Sequence, residues 1–168
     1  LGDWGTQFGQ LIVAYKKWGS ENAHKTYTVT DLNNLYVRFH QEAEKNPGLE
    51  DEARAWFKKL ESGDFEAKDL WQHFKDISLK EFQKIYDMLG IHFDAFVGES
   101  FYNTMVEDTI TRIKEKGLAK VSEQALIIDL EPYNMPPCLL RKKDDTTLYA
   151  TRDIAAAEYR KKTYDFDK

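Results

Sequence analysis

Apolar residues recur at helical spacing through the first half of the 168-residue chain. This spacing places them on one face of an amphipathic helix, and that face has to be buried against other elements. We predict four or five helices here. Their apolar faces begin at Phe8, Leu32, Ala53 and Leu70. Thr30 is expected to cap the second helix, and a capping box at Ser78 predicts a break in the last of them near residues 76–78.

The second half of the chain mixes strand and helix patterns. Strands are expected at residues 92–97, 125–130 and 138–141. A helix is expected from about Asn103 to Lys116, and Thr151 is expected to cap a last helix, with Tyr149 on the strand that enters it. The predicted fold class is therefore α+β, mostly helical, with a small and largely antiparallel sheet in the second half.

Composition excludes several classes of protein. The 4 Trp, 9 Tyr and 10 Phe are too many for an intrinsically disordered chain, and the length fits one domain. There is neither a secretory leader nor an apolar run long enough to cross a membrane. Cys138 is the one cysteine, which excludes a disulfide framework and a multi-cysteine metal site and fits a reducing cytoplasm.

The charge balance argues against nonspecific nucleic-acid binding. The chain carries 24 basic and 29 acidic residues, a net charge of -5, whereas such binders are usually strongly basic. The last thirty residues carry eight basic and six acidic side chains, so a specific RNA partner stays open. Candidate RNA contacts, chosen by charge, are Lys142, Lys143, Arg160, Lys161 and Lys162; a solvated charged surface is the alternative.

No catalytic set follows from spacing. The four histidines, His24, His40, His73 and His92, make no metal-binding spacing, and there is no phosphate-binding P-loop motif. We therefore expect no metal site, and the catalytic residues are unknown. The opening residues Gly2, Asp3 and Trp4 either form a tight turn with a buried ring or line the wall of a pocket.

Tyr149 and Asp153 are the second candidate site. They are four residues apart at the expected start of the last helix, so both side chains can face one cavity. A carboxylate can bind a planar guanidinium through two parallel hydrogen bonds, and a tyrosine can supply an oxygen or a ring face beside it. The alternative is that Asp153 only stabilises the helix start and Tyr149 packs against its neighbours.

Three phrases in this order resemble the arginyl-tRNA synthetase family. They are LGDWGTQFG at residues 1–9, GES at 98–100 and TTLYATRDIAA at 146–156. The resemblance spans the whole chain and implies a piece of the class I nucleotide-binding catalytic domain, including its inserted connective segment. On this reading, residues 1–168 are a single fragment. The HIGH motif would precede Leu1, and the KMSKS-type loop and the anticodon-binding domain would follow Lys168.

The resemblance also implies an activity and a site. The full-length enzyme would activate arginine with ATP and transfer it to tRNA(Arg); ATP would be a substrate, accompanied by magnesium, and there would be no tightly bound cofactor. Tyr149 and Asp153 match the family's arginine-binding residues, and Gly2, Asp3 and Trp4 would be wall residues of the pocket. The family commonly has a turn glycine where this chain has Asp145.

Further expectations concern the fragment and its setting. We expect a cytoplasmic enzyme without membrane association, and an isolated fragment that is inactive. The sequence does not determine the oligomeric state, and a monomer is favoured. The alternative function, from a different class, is a non-catalytic helical module whose apolar faces bind a protein partner.

Overall fold

The computed structural model describes residues 2–19, 26–143 and 146–167. The chain divides into two compact units, which we call the helical unit (Gly2–Phe96) and the C-terminal unit (Val97–Lys168). His24 and the turn residue Asp145 lie outside the described residues. That the whole chain is one fragment of a single catalytic domain stays a prediction.

The described residues of the helical unit form four α-helices and one π-helical turn. They are α1 (Thr6–Ala14), the turn Tyr15–Gly19, α2 (Val29–Lys45), α3 (Gly48–Glu61) and α4 (Phe65–Leu89). Their apolar faces meet in a core that includes the fully buried Ile12, Phe39, Leu60 and Phe74. The apolar spacing therefore predicted these helices and their buried faces.

Two predictions on helix ends are wrong. The N-cap of α2 is Thr28 and not Thr30: the Thr28 hydroxyl accepts from the Asp31 N–H, and the Asp31 carboxylate accepts from the Thr28 N–H. The break near Ser78 is absent: α4 is continuous through this position, and the Ser78 hydroxyl donates to the Phe74 carbonyl at 2.9 Å and does not cap a new helix. Gly90, in the left-handed conformation with φ 65°, ends α4 as predicted.

The part of the C-terminal unit that the structure describes forms the sheet and two α-helices. Its elements are a 3₁₀ helix (Glu99–Met105), α5 (Val106–Glu115), β1 (Ala119–Ser122), β2 (Ala125–Ile128), a 3₁₀ turn (Glu131–Tyr133), β3 (Cys138–Arg141) and α6 (Tyr149–Tyr164). The three strands form one antiparallel sheet in the order β1-β2-β3. The predicted fold class, mostly helical with a small antiparallel sheet in the second half, is confirmed.

The strand predicted at residues 92–97 is not formed. Alternation of apolar and polar residues makes a segment fit to be a strand, but a strand also needs a neighbour for its backbone hydrogen bonds. Among the strands of the described chain, none pairs with these residues. Across all the residues that the structure describes, no helix is both long and apolar enough to cross a membrane.

Candidate functional site

Tyr149 and Asp153 lie on the first two turns of α6. The helix begins at Tyr149, directly after the extended Leu148, so both residues belong to the helix. Residues four apart on a helix lie on one face, with about 5–6 Å between their Cβ atoms. Both side chains are exposed, and Tyr149 keeps 68% of its accessible surface. The structure thus presents a phenol and a carboxylate side by side on one face.

The prediction that Thr151 caps this helix is wrong, and so is the placement of Tyr149 on a strand. Leu148 occupies the N-cap position, and no side chain caps the helix. Thr151 lies within the first turn and is wholly buried; its hydroxyl donates to the carbonyl oxygen of Leu140 in β3 at 2.7 Å. The Thr151 hydroxyl therefore bonds to the carbonyl of a buried strand and does not cap the helix.

Arg152, the residue between Thr151 and Asp153, is buried although it carries a charge. Its side chain is 7% exposed, and its Nε donates to a Glu99 carboxylate oxygen at 2.7 Å. A buried guanidinium needs such a partner, because an uncompensated charge in the interior is costly. The ion pair joins the start of α6 to the start of the 3₁₀ helix at Glu99.

Sequence reasoning missed the structural roles of Thr151, Arg152 and Glu99. All three stand in the phrases that carried the resemblance, but no periodic pattern connects them. Their partners are 11 and 53 residues away in sequence. Only the fold brings these groups together.

Asp3 and Trp4 are built into the packing of the helical unit. Asp3 is 7% exposed, and its carboxylate lies 3.0 Å from the Lys75 ammonium. Its main-chain oxygen accepts from the Trp71 indole N–H at 2.7 Å. The Trp4 ring, 9% exposed, meets the rings of Trp71 and Phe57 edge-on at centroid distances of 5.6 and 5.8 Å. The Trp4 ring is therefore buried within this unit, but the backbone of residues 2–4 forms no hydrogen-bonded turn.

Gly2 is exposed, and a side chain added there would meet no atom within 4 Å. Because Gly2, Asp3 and Trp4 belong to the helical unit while Tyr149 and Asp153 belong to the C-terminal unit, a pocket shared by the two groups stays a prediction.

A second feature of the C-terminal unit is the polar network between α5 and α6. The Arg112 guanidinium contacts the Glu158 carboxylate at 2.5 Å, and the buried Thr109 hydroxyl donates to the same carboxylate at 3.0 Å. The hydrogen bond from Arg112 is the main cause that lowers the pKa of Glu158, and it raises the pKa of Arg112. A cleft of about 760 Å³ opens here, lined in part by Met105 and Tyr159. Tyr149 and Asp153 do not line it.

The five basic residues predicted as RNA contacts, Lys142, Lys143, Arg160, Lys161 and Lys162, are all exposed. Lys161 bonds to the Asp165 carboxylate and to the Phe166 carbonyl, and the Arg160 guanidinium lies 5.9 Å from the centre of the Tyr102 ring. Their contact with RNA stays a prediction. In the described ranges no group of three or more metal-ligating side chains could hold a metal ion.

The comparisons with known proteins agree on one family. The family model described as "tRNA synthetases class I (R), catalytic domain" matches residues 1–168. The chain therefore belongs to the class I tRNA synthetase family, in its arginine branch. The resemblance stated from the three sequence phrases is confirmed.

Two relatives and one solved structure illustrate the match. The chain is 60% identical to the arginine–tRNA ligase of Enterococcus faecalis and 57% identical to that of Halothermothrix orenii, each over all of this chain and 30% of the relative. It is similar to the crystal structure of arginyl-tRNA synthetase from Plasmodium falciparum, with a TM-score of 0.77 and 29% identity, covering 94% of this chain and 26% of that one. The chain thus spans 30% of the length of these curated relatives.

Proposed function

We propose that this chain is the arginine-recognising part of the catalytic domain of an arginine–tRNA ligase. The observation that carries the proposal is the match of the entire chain to this family, with 60% identity to a named arginine–tRNA ligase. The rest of the machinery would lie in the remaining length of the polypeptide, since the chain spans 30% of its relatives. The alternative of a non-catalytic interaction module is not favoured, because generic helical modules do not account for these matches.

The reaction of the full-length enzyme proceeds in two transfers. The carboxylate of arginine attacks the α-phosphate of ATP, the bond to the bridging oxygen breaks, and pyrophosphate leaves. A hydroxyl of the terminal ribose of tRNA(Arg) then attacks the carbonyl carbon of arginyl-adenylate, and AMP leaves. Such enzymes work chiefly by positioning the reactants and stabilising charge. ATP enters as a substrate with magnesium, and we propose no tightly bound cofactor.

Asp153 and Tyr149 would recognise the side chain of arginine. A carboxylate on an exposed helix face can accept two parallel N–H bonds from the flat guanidinium, and the adjacent phenol can pack along its plane or accept a further bond. Lysine is a poor substitute, because its compact ammonium cannot satisfy both carboxylate oxygens in this geometry. The exposure of both side chains leaves them accessible to such a ligand.

We place the enzyme in the cytoplasm as a monomer, with arginine, ATP and tRNA(Arg) as its partners. Gly2, Asp3 and Trp4 are proposed as pocket-wall residues. Asp3 and Trp4 would act through the backbone or the ring edge, since the Asp3 carboxylate is already held by Lys75.

The test is amino-acid-dependent exchange of pyrophosphate into ATP by the full-length polypeptide that contains this chain, with tRNA(Arg) present. We expect exchange with arginine and at least a hundredfold less with lysine, as expected for sites built to hydrogen-bond one specific group. Equal exchange with both amino acids, or none with arginine, would contradict the proposal.

A further inference from the structure

The hydroxyl of Thr151 makes a bond that α6 does not need for its own hydrogen bonding. The Thr151 N–H already bonds to the Leu148 carbonyl at 3.1 Å, as the helix start requires. Because Thr151 is the third residue of α6, no helical turn precedes it to which its hydroxyl could bond back. Here the hydroxyl donates at 2.7 Å to Leu140, eleven residues away in β3. The bond therefore fixes the helix to the sheet.

Both partners of this bond are sealed from solvent. Thr151 and Leu140 each have 0% exposure. Water cannot replace either partner, so the hydroxyl and the carbonyl depend on each other. The start of α6 has a second attachment one residue on, where the buried Arg152 binds Glu99.

The position of Thr151 relative to the candidate site follows from helix geometry. Each residue turns the helix by about 100°, so Thr151 lies about 200° from Tyr149 and from Asp153. It is therefore on the opposite side of the helix from both. If α6 rolled about its axis at this end, the phenol and the carboxylate would move with it. Two-point recognition of a guanidinium tolerates displacements of only about 0.5 Å.

Resting on the proposed function, we propose that Thr151 is a positioning residue for arginine. Its buried hydroxyl, held by the Leu140 carbonyl, fixes the roll of the first turn of α6, and thereby the direction in which Tyr149 and Asp153 meet the guanidinium. The contact itself is made by Tyr149 and Asp153; Thr151 acts through them.

The experiment compares four versions of the full-length polypeptide: wild type, Thr151→Val, Thr151→Ser and Thr109→Val. Valine keeps the volume of threonine and removes the donor, whereas serine keeps the donor and removes a methyl group. Thr109 is a matched control, because it is equally buried in the same unit and also donates its hydroxyl, but to Glu158. The readouts are KM for arginine, KM for ATP and kcat in pyrophosphate exchange, with thermal unfolding of each variant.

We expect Thr151→Val to raise KM for arginine about tenfold and to leave kcat and KM for ATP within about twofold, since the lost alignment affects binding of the amino acid. Thr151→Ser should retain the wild-type KM for arginine. Thr109→Val should lower the unfolding temperature without changing that KM. If Thr151→Val does not give folded protein, Thr151→Ala replaces it, because alanine removes the donor without adding bulk.

An unchanged KM for arginine in Thr151→Val would overturn the inference, as would an equal rise in Thr109→Val, which would indicate general loosening of the unit. A rise in KM for arginine in Thr151→Ser as large as that in Thr151→Val would also overturn it, since loss of the hydroxyl would then not explain the rise. Failure of the proposed function is recognised separately, because in that case the wild-type enzyme itself shows no dependence on arginine.

Discussion

Gly9 of α1 packs directly against the backbone of Ala53 in α3. A Cβ atom placed on Gly9 would come to 2.1 Å from the Ala53 carbonyl oxygen, far inside contact distance. The two helices can approach this closely only because residue 9 has no side chain. This contact explains one of the glycines that crowd the start of the sequence.

Gly9→Ala should therefore destabilise the helical unit. Alanine is favoured over glycine inside a helix by about 1 kcal/mol, but overpacking a tight contact costs about 1–3 kcal/mol, so we expect a net loss. Hydrogen exchange measured by mass spectrometry should become faster in α1 and α3. Gly2→Ala is the control, because a side chain there meets nothing within 4 Å. Equal exchange rates in the two variants would contradict this packing.

The capping box at Thr28 gives a second prediction with its own control. Thr28→Ala should destabilise α2 by about 1 kcal/mol, because the N-cap hydroxyl would no longer accept from Asp31. Thr30→Ala, two residues later inside the helix, should be neutral or slightly stabilising, since alanine is the better helix former. Urea unfolding of both variants distinguishes the two positions. A larger loss in Thr30→Ala would reverse the assignment of the cap.

The errors about helix ends and strands have identifiable causes. By residue type, either Thr28 or Thr30 could be the N-cap of α2. Thr28 is the N-cap because its backbone is extended, whereas Thr30 already lies inside the helix. The strand β1 was not predicted, because its alternation of apolar and polar residues covers only four positions, three of which are exposed; it forms by pairing with the apolar β2. Apolar periodicity reveals which residues are buried, whereas backbone pairing depends on distant partners.

The candidate site shows the same division. Tyr149 and Asp153 could be chosen from the sequence, because the phrase that contains them resembles a known family. The pair of the buried Arg152 and the partly buried Glu99 could not, since charged residues are usually exposed and the two partners are 53 positions apart. The buried contacts that fix the start of α6 are thus harder to predict from the sequence than the exposed residues of the candidate site.

Removing the charge of Arg152 should destabilise the C-terminal unit. Arg152→Met leaves the Glu99 carboxylate, which is 22% exposed, without its guanidinium partner, and we expect a loss of about 1–3 kcal/mol. Arg160→Met, on the same helix with an exposed side chain, should cost less than about 0.5 kcal/mol. Chemical unfolding of both variants provides the measurement. Equal losses would show that the pair contributes no more than a surface charge does.

Acid should weaken the link between α5 and α6. The pKa of Glu158 is lowered below its ordinary value of 4.5 in the folded chain, chiefly by the hydrogen bond from Arg112. The carboxylate therefore contributes stability above pH 4.5, and this contribution is lost as the pH falls through the lowered pKa. In the Glu158→Gln variant, the unfolding temperature should fall less steeply than in the wild type as the pH is lowered below 4.5. If the unfolding temperature of the variant falls with pH as steeply as that of the wild type, Glu158 is not the cause of the acid sensitivity.

If the Asp153 carboxylate binds the guanidinium of arginine, as we propose, KM for arginine should rise in the Asp153→Asn variant of the full-length polypeptide. Losing a charged hydrogen-bond partner costs about 1.5–3 kcal/mol, which corresponds to a rise of roughly ten- to hundredfold. Asp165→Asn, at the other end of α6, carries the same chemical change at a fully exposed site and should leave KM unchanged. We expect KM for arginine to rise in Asp153→Asn and not in Asp165→Asn, with KM for ATP unaffected in both. Equal values in the two variants would contradict the proposal.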